Sequence, residues 1–301
     1  MKLTILGCYA ATPRTLTNPT SQVLEINSHV FLIDCGEGTQ VELRRKKIKF
    51  SRIRHIFISH LHGDHVFGLI GLVSTFKMLG REAPLNIYGP KGIKEFITLQ
   101  LKLSNSWTDY PLHFHELTSK NSEMVFEDEK ISVRTIPLQH RVYCNGYLFE
   151  EKPGERKLIL SKVMNYNIDV AYYRSIKKGK DVLLDDGTLI KNETITAPPK
   201  PTKSYAFCSD TRYDEAKISL LQNVTVLYHE ATFLESHKHL AATTGHSTAI
   251  EAGMIAKKSN VDTLILGHFS TRYKDISLFK EEAETVFDAV MVADDGKVFD
   301  F

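Results

Sequence analysis

Three imidazoles and a carboxylate fall within six residues of this chain, His60-Leu61-His62-Gly63-Asp64-His65. Imidazole nitrogen and carboxylate oxygen are the donors that hold zinc and related divalent ions. The stretch follows Ile56-Phe57-Ile58-Ser59, an apolar run of the kind that forms a buried strand. In extended backbone, residues two apart point the same way, so His60 and His62 can share one ion. Asp64 and His65 stand where the chain should turn into a helix, and they can aim at a second ion nearby. A His-rich exposed loop is the bland alternative. The strand signal before the motif and the helix signal after it argue against that alternative.

A two-ion site needs more ligands than one motif provides, and other apolar runs end on suitable residues. His140 follows Ile136-Pro137-Leu138-Gln139, Asp210 follows Tyr205-Ala206-Phe207-Cys208-Ser209, and His268 follows Leu264-Ile265-Leu266-Gly267. Each can rise from the same edge of a sheet.

The elements that must position these residues read as α/β. Short apolar runs at 3–6, 22–26 and 30–34 predict strands, with a turn at Asn27-Ser28. Asp34-Cys35-Gly36-Glu37-Gly38-Thr39 reads as a tight loop leading into a polar helix over 40–47. Val66, Leu69, Ile70, Val73, Phe76 and Leu79 recur at helical spacing, which predicts one helix over 64–79. Strands at 85–88, 112–117 and 131–136 follow, with a helix at 92–103. From 148 to 204 the pattern breaks into a charged, poorly periodic segment with little core character. A segment that long inside a compact protein is usually functional or mobile, and it is expected to project as an arm. Strands at 205–209, 224–229, 263–267, 290–293 and 298–301 then alternate with helices at 214–221, 248–258 and 277–287. Strands in each half with helices outside predict two sheets packed face to face. The His motif would sit at their upper edge.

The chain has 301 residues, 42% hydrophobic and 25% charged, an ordinary composition for a soluble globular protein. No run is apolar enough to span a membrane, and the first apolar stretch reads as a strand instead of a signal peptide. Cys8, Cys35, Cys144 and Cys208 are scattered, which fits a reducing cytoplasm and excludes a Cys-based zinc site. The net charge of +2 decides nothing about partners. Local clusters say more: Arg44, Arg45, Lys46, Lys47, Lys49, Arg52 and Arg54 crowd one segment, and Lys177, Lys178 and Lys180 another. Beside a metal site such patches are candidates for phosphate binding.

The ordered set formed by the His motif, His140, Ser209-Asp210-Thr211 and Gly267-His268-Phe269-Ser270-Thr271-Arg272-Tyr273 resembles the motifs of the metallo-β-lactamase fold. More narrowly it resembles ribonuclease Z, the endonuclease that trims the 3′ end of precursor tRNA. Asp34 to Gln40, His229-Glu230-Ala231-Thr232 and Gly245-His246-Ser247-Thr248 carry the narrower likeness. The resemblance implies an αββα sandwich of two mixed sheets, a single domain over 1–301, with an inserted flexible tRNA-binding arm at 150–203. It implies two Zn²⁺ per subunit, Mn²⁺ or Fe²⁺ being alternatives: one ion on His60, His62 and His140, the other on Asp64, His65 and His268, with Asp210 bridging. Two such ions make hydroxide at neutral pH and stabilise charge on a phosphate. Asp64 would also orient the attacking water. His246 would donate a proton to the leaving ribose oxygen, so that the tRNA keeps a 3′-hydroxyl, and Glu230 would hold His246 in the needed tautomer. Lys177, Lys178, Lys180 and Arg272 would contact the RNA, and the chain would form a homodimer in the cytoplasm, away from membranes.

Two other functions fit parts of this reading. One is a small-molecule phosphodiesterase or ester or lactone hydrolase of the same fold, which would not need the arm. The other is a non-catalytic RNA-binding protein with a structural metal, which the complete ligand set argues against.

Overall fold

The computed structural model describes residues 1–12 and 15–301. Six strands open a first sheet: β1 (Lys2–Gly7), β2 (Ser21–Ile26), β3 (His29–Ile33), β4 (Ile53–Phe57), β5 (Leu85–Pro90) and β6 (Leu112–Leu117). Seven build a second: β7 (Met124–Glu127), β8 (Ile131–Leu138), β9 (Cys144–Glu151), β10 (Ser204–Cys208), β11 (Val226–Glu230), β12 (Thr263–Gly267) and β13 (Val290–Val292). The last strand, β14 (Val298–Asp300), returns to the first sheet beside β1. The strand orders are β14-β1-β2-β3-β4-β5-β6 and β13-β12-β11-β10-β9-β8-β7.

Each sheet has an antiparallel part and a parallel part. In the first, β3 to β6 run parallel. In the second, β10 to β13 run parallel, and β9 is antiparallel to both β8 and β10. That reversal points β8 the same way as β10, β11 and β12, so the four strands end at one edge. Ligand sites in open α/β sheets lie outside such carboxyl ends.

Alternation along the strands explains why two sheets pack with helices outside. In β3, Phe31 and Ile33 face the other sheet, while Val30 and Leu32 join a separate outer cluster. That outer cluster is covered by α1 (Thr39–Arg45), α2 (Gly63–Val66), α3 (Gly68–Met78) and α4 (Ile93–Leu103), through Leu43, Leu69, Leu72, Phe76, Ile93 and Ile97. On the far side α5 (Lys238–Thr244), α6 (Ala249–Lys258) and α7 (Ser277–Glu284) complete four layers, α6 and α7 packing on the second sheet through Ile255 and Phe279. Strands buried on both faces are a general property of sheets covered on two sides.

The interior between the sheets is aromatic. Phe57 stacks on Tyr88 at 4.6 Å and meets Tyr147 at 5.1 Å and Phe149 at 5.3 Å. Tyr147 also donates its hydroxyl to the Ile58 carbonyl at 2.7 Å, and the Asn145 amide donates to Ser59 O at 3.1 Å. These bonds tie the second sheet to the segment that leads directly into His60.

The structure corrects several expected boundaries. The single helix over 64–79 is two, α2 and α3, because the Gly68 amide donates to Cys35 O (2.9 Å) instead of continuing the helical ladder. An added Cβ on Gly68 would lie 2.0 Å from Gly36 O, so only glycine lets the loop dock here. The expected helix over 214–221 is a 3₁₀ turn, Glu215–Leu220, that buries Lys217. β7, β9 and α5 were not expected. The break placed at 148 falls inside β9, which extends to Glu151.

The segment between β9 and β10 also carries more internal packing than its sequence suggests. Val163, Ile168, Ile176, Val182, Ile190 and Ile195 form a small core of their own. Two short ladders frame it, Lys157–Leu158 against Thr196–Ala197 and Val182–Leu183 against Leu189–Ile190. Asn192 donates its amide to Ile176 O and Lys180 O, which closes the unit. Lys177, Lys178 and Lys180 lie exposed on its surface.

Candidate metal centre

The strand ends bring the expected residues together. His60 follows β4, His140 follows β8, Asp210 follows β10 and His268 follows β12. Asp210, His246 and His268 form one overlapping group, and two further groups hold all the expected ligands, with ligand atoms within 4.8 Å of one another in each: His60, His62, His140 and Asp210; and Asp64, His65 and His268. Asp210 lies between them. Its Oδ2 faces His60 Nε2 at 3.6 Å and His140 Nε2 at 3.8 Å. Its Oδ1 faces His268 Nε2 at 3.2 Å and His65 Nε2 at 3.4 Å. Asp64 Oδ2 stands 3.5 Å from both His65 Nε2 and His268 Nε2.

An outer ring of acceptors decides which nitrogen of each imidazole is available. His65 Nδ1 lies 2.7 Å from Asp34 Oδ2, and His140 Nδ1 lies 2.8 Å from Gly245 O. The Gly245 carbonyl can only accept, and both Asp34 oxygens already accept from Ser59, so both rings hold their proton on Nδ1 and turn the Nε2 lone pair inward. Thr232 Oγ1 donates to Glu230 Oε2 (2.8 Å), which leaves it to accept from His268 Nδ1 at 2.8 Å. Ser59 Oγ donates to Asp34 Oδ2 (2.8 Å) and so accepts from His60 Nδ1 at 3.0 Å. Four Nε2 lone pairs therefore converge on the two groups.

A divalent ion fits what these atoms lack. His65 Nε2, His140 Nε2, His268 Nε2 and Asp210 Oδ1 are buried without a hydrogen-bond partner. Orphaned buried polar atoms are costly, and here they share one small volume. Tetrahedral nitrogen and oxygen ligands of zinc stand roughly 3.3 Å apart, close to the distances around Asp210.

The electrostatics agree. Burial, chiefly, holds the His60, His62 and His140 imidazoles below their usual range, so they are neutral and can ligate. Around His65 the balance reverses: burial disfavours its charge, but Asp210, Asp64 and Asp34 outweigh it and raise its affinity for a proton. Burial likewise opposes ionisation of Asp210, while His268, His65 and His246 pull its carboxyl well below the usual range. The centre demands positive charge that a bound cation supplies in place of protons.

Beside this centre lies His246, with Nδ1 at 2.9 Å from Glu230 Oε1. Burial would lower its pKa, but the Glu230 and Asp210 carboxylates outweigh it and raise the imidazole to about 9. Glu230 is fully buried, and its oxygens also accept from the amides of Thr211, Thr232 and Ser247 at 2.9–3.1 Å. It thus fastens two strand-end loops and the connection between α5 and α6 at once. Gly245, in the left-handed region at φ +81, ends α5 and leaves room for His140 Nδ1, which an added Cβ would approach to 3.1 Å.

The remaining expected site residues lie apart from this cluster. Arg272 is exposed on the loop after His268, and the three lysines sit on the inserted segment. The sequence reading did not assign roles to Asp34, Ser59 and Thr232. Asp34 carried a signal, since it is an acid directly after the apolar run of β3, the same criterion that picked out Asp210.

Residues 1–197 match the family model described as anti-Pycsar protein Apyc1. A ribonuclease Z of Bacteroides fragilis is 45% identical over 292 residues, 97% of this chain and 96% of the relative. One from Parabacteroides distasonis is 43% identical over 294 residues, covering 98% and 97%. Among solved structures, the short form of human tRNase Z superposes with a TM-score of 0.72 at 27% identity, covering 100% of this chain and 99% of that one. The metallo-β-lactamase fold protein YhfI from Bacillus subtilis gives a TM-score of 0.70 at 20% identity, over 99% and 98% of the two chains, and shares the fold.

Replacing Asp34 with Ala strips His65 and Ser59 of their acceptor. Affinity for a divalent ion should fall about 10- to 100-fold, read by competition with a chromophoric chelator while circular dichroism reports an intact fold. Unchanged affinity would mean that packing alone orients His65.

Proposed function

The chain belongs to the ribonuclease Z family of endoribonucleases, and its residues 1–197 to the family of the anti-Pycsar protein Apyc1; from that premise we propose that it removes the 3′ trailer from precursor tRNA. The observation that carries this reading is the convergence of His60, His140, His65 and His268 on the two oxygens of Asp210, with His62 and Asp64 completing the two groups, beside a protonatable His246. His60, His62 and His140 would hold one ion, Asp64, His65 and His268 the other, with Asp210 shared; zinc suits these donors, and manganese or iron can use them. Two cations in this position neutralise charge on a phosphodiester and acidify water at neutral pH.

The chain's own groups supply the rest. Asp64 would orient the attacking water, which loses its proton to bulk solvent: burial opposes ionisation of the Asp64 carboxyl, but His65 and His268 hold it far below the usual range, so it is a poor base. The water oxygen bonds to phosphorus as the bond to the ribose 3′-oxygen breaks. His246 delivers a proton to that oxygen from Nε2, its other nitrogen being engaged by Glu230. The tRNA keeps a 3′-hydroxyl and the trailer keeps the phosphate. Lys177, Lys178, Lys180 and Arg272 would neutralise RNA phosphates outside the centre.

We read the enzyme as a cytoplasmic homodimer. Leu99 and Leu103 recur on the outer side of α4, 50% and 78% exposed, next to half-buried Phe96, on which the exposed Phe67 stacks. Such a stripe suits a second copy. All four cysteines are free and buried, as in a reducing compartment. No helix among the described residues is long and apolar enough to cross a membrane.

A second reading, hydrolysis of a small phosphodiester, would use the same cluster of imidazoles and carboxylates without need of the inserted segment. The inserted segment separates the two. Replacing Lys177, Lys178 and Lys180 with Ala should weaken tRNA binding and flatten its dependence on salt, while sparing a nitrophenyl phosphodiester. Equal losses on both substrates would assign the segment to folding or assembly.

Incubating a 3′-extended precursor tRNA with wild type and Asp64→Ala tests the main reading. Wild type should make a single cut near the acceptor end, and the variant should lose it. A metal-loaded wild type that leaves the precursor whole would refute the reading. The pH profile tests His246. An acid must be protonated, so kcat/KM should fall as pH rises through the His246 pKa, about 9. Glu230→Gln removes the largest support for that proton and should move the fall toward the ordinary imidazole range. A basic limb unmoved by the variant would exclude His246 as the donor.

A further inference from the structure

The turn joining β13 to β14, Asp294-Asp295-Gly296, takes no part in the chemistry above, yet it is bonded to the loop that reaches Asp64. That loop connects β1 to β2. Asp295 Oδ1 accepts from the Cys8 amide at 3.2 Å, and Oδ2 accepts from the Asn18 amide at 2.6 Å and the Asn18 side chain at 3.0 Å. One carboxylate therefore holds both feet of the loop. Tyr9 adds a bond from its hydroxyl to Asp294 Oδ1 at 3.0 Å, and its amide donates to Asn18 O at 3.2 Å, closing the base.

From this base the backbone runs straight to the centre. The Phe269 amide donates to Cys8 O at 3.2 Å and the Ala10 amide to Phe269 O at 3.0 Å, which lays residues 8–10 along the segment that follows His268. The next amide, Ala11, donates to Asp64 Oδ2 at 3.0 Å. This is the same oxygen that faces His65 and His268. A carboxylate torsion is broad and roughly two-fold, so a fixed charge-assisted donor is what decides how Asp64 presents its oxygens.

We propose that Asp295 is a positioning residue for Asp64, acting through the backbone of residues 8–11 and the Ala11 amide. The proposal rests on the reading of Asp64 as a group that holds a metal ion. It separates Asp295 from a residue that merely stabilises the β13–β14 turn, because its effect must pass through one hydrogen donor.

A double-mutant cycle on the full-length protein tests it, with Asp295→Ala, Ala11→Pro and the double variant. The readouts are Zn²⁺ affinity by chelator competition, kcat and KM on bis(p-nitrophenyl) phosphate, and the thermal midpoint. Each single variant should weaken one of two bound equivalents about ten-fold and lower kcat with KM unchanged. The double variant should be no worse than the poorer single, since both changes remove the same contact. Wild-type affinity in Asp295→Ala, or losses that multiply in the double variant, would overturn the proposal. Should Asp295→Ala fail to fold, Asp295→Asn, which keeps one acceptor and loses the other, carries the same comparison. A wild type that leaves precursor tRNA uncut but shows this coupling in the zinc titration refutes the tRNA reading and upholds Asp295. A wild type that takes up no zinc overturns both.

Discussion

Asp210 is the constraint on which the rest of the structure depends. It is a carboxylate almost fully removed from water, and each of its oxygens faces a different set of imidazoles. A buried charge without compensation costs several kcal/mol, so the surrounding residues must either hold protons or hold cations. They are arranged for cations: four Nε2 lone pairs turn inward because four outer acceptors fix the protons on Nδ1. The two sheets exist in this register to deliver those groups. β9 reverses between β8 and β10, and through that reversal His140 and Asp210 rise from the same edge although 70 residues separate them.

Precision at the centre is bought from backbone geometry. Asp34 and His268 both adopt positive φ, +54 and +61, in the left-handed region that non-glycine residues rarely occupy. Asp34 there turns out of β3 so that its carboxylate can bond both Ser59 and His65. His268 turns out of β12 toward Asp210 and Thr232. Glu230 joins the halves of the network: through Thr232 it reaches His268, through its own oxygen it reaches His246, and through the Thr211 amide it steadies the loop that carries Asp210.

Much of this was legible in the amino-acid sequence because the metal-competent residues follow apolar runs. The His motif, His140, Asp210 and His268 all stand where a strand should end, and the structure brings them together. What escaped detection escaped for physical reasons. The register and direction of β9 could not be read, because a strand buried on both faces shows no alternation and its end, Glu150-Glu151, looks like the start of a charged loop. The step between α2 and α3 depends on a tertiary hydrogen bond to Cys35, to which helical periodicity is blind. The core of the inserted segment uses six residues spread over 33 positions without a regular period. Thr232 acts through its hydroxyl and its amide, contacts that depend on the tertiary placement of Glu230 and His268 and leave no periodic mark in the sequence.

The most direct measurement is anomalous diffraction from a crystal of the zinc-loaded protein at the zinc absorption edge. The account requires two peaks on either side of Asp210, one among His60, His62 and His140 and the other among Asp64, His65 and His268. A single peak, or zinc bound away from Asp210, would contradict it.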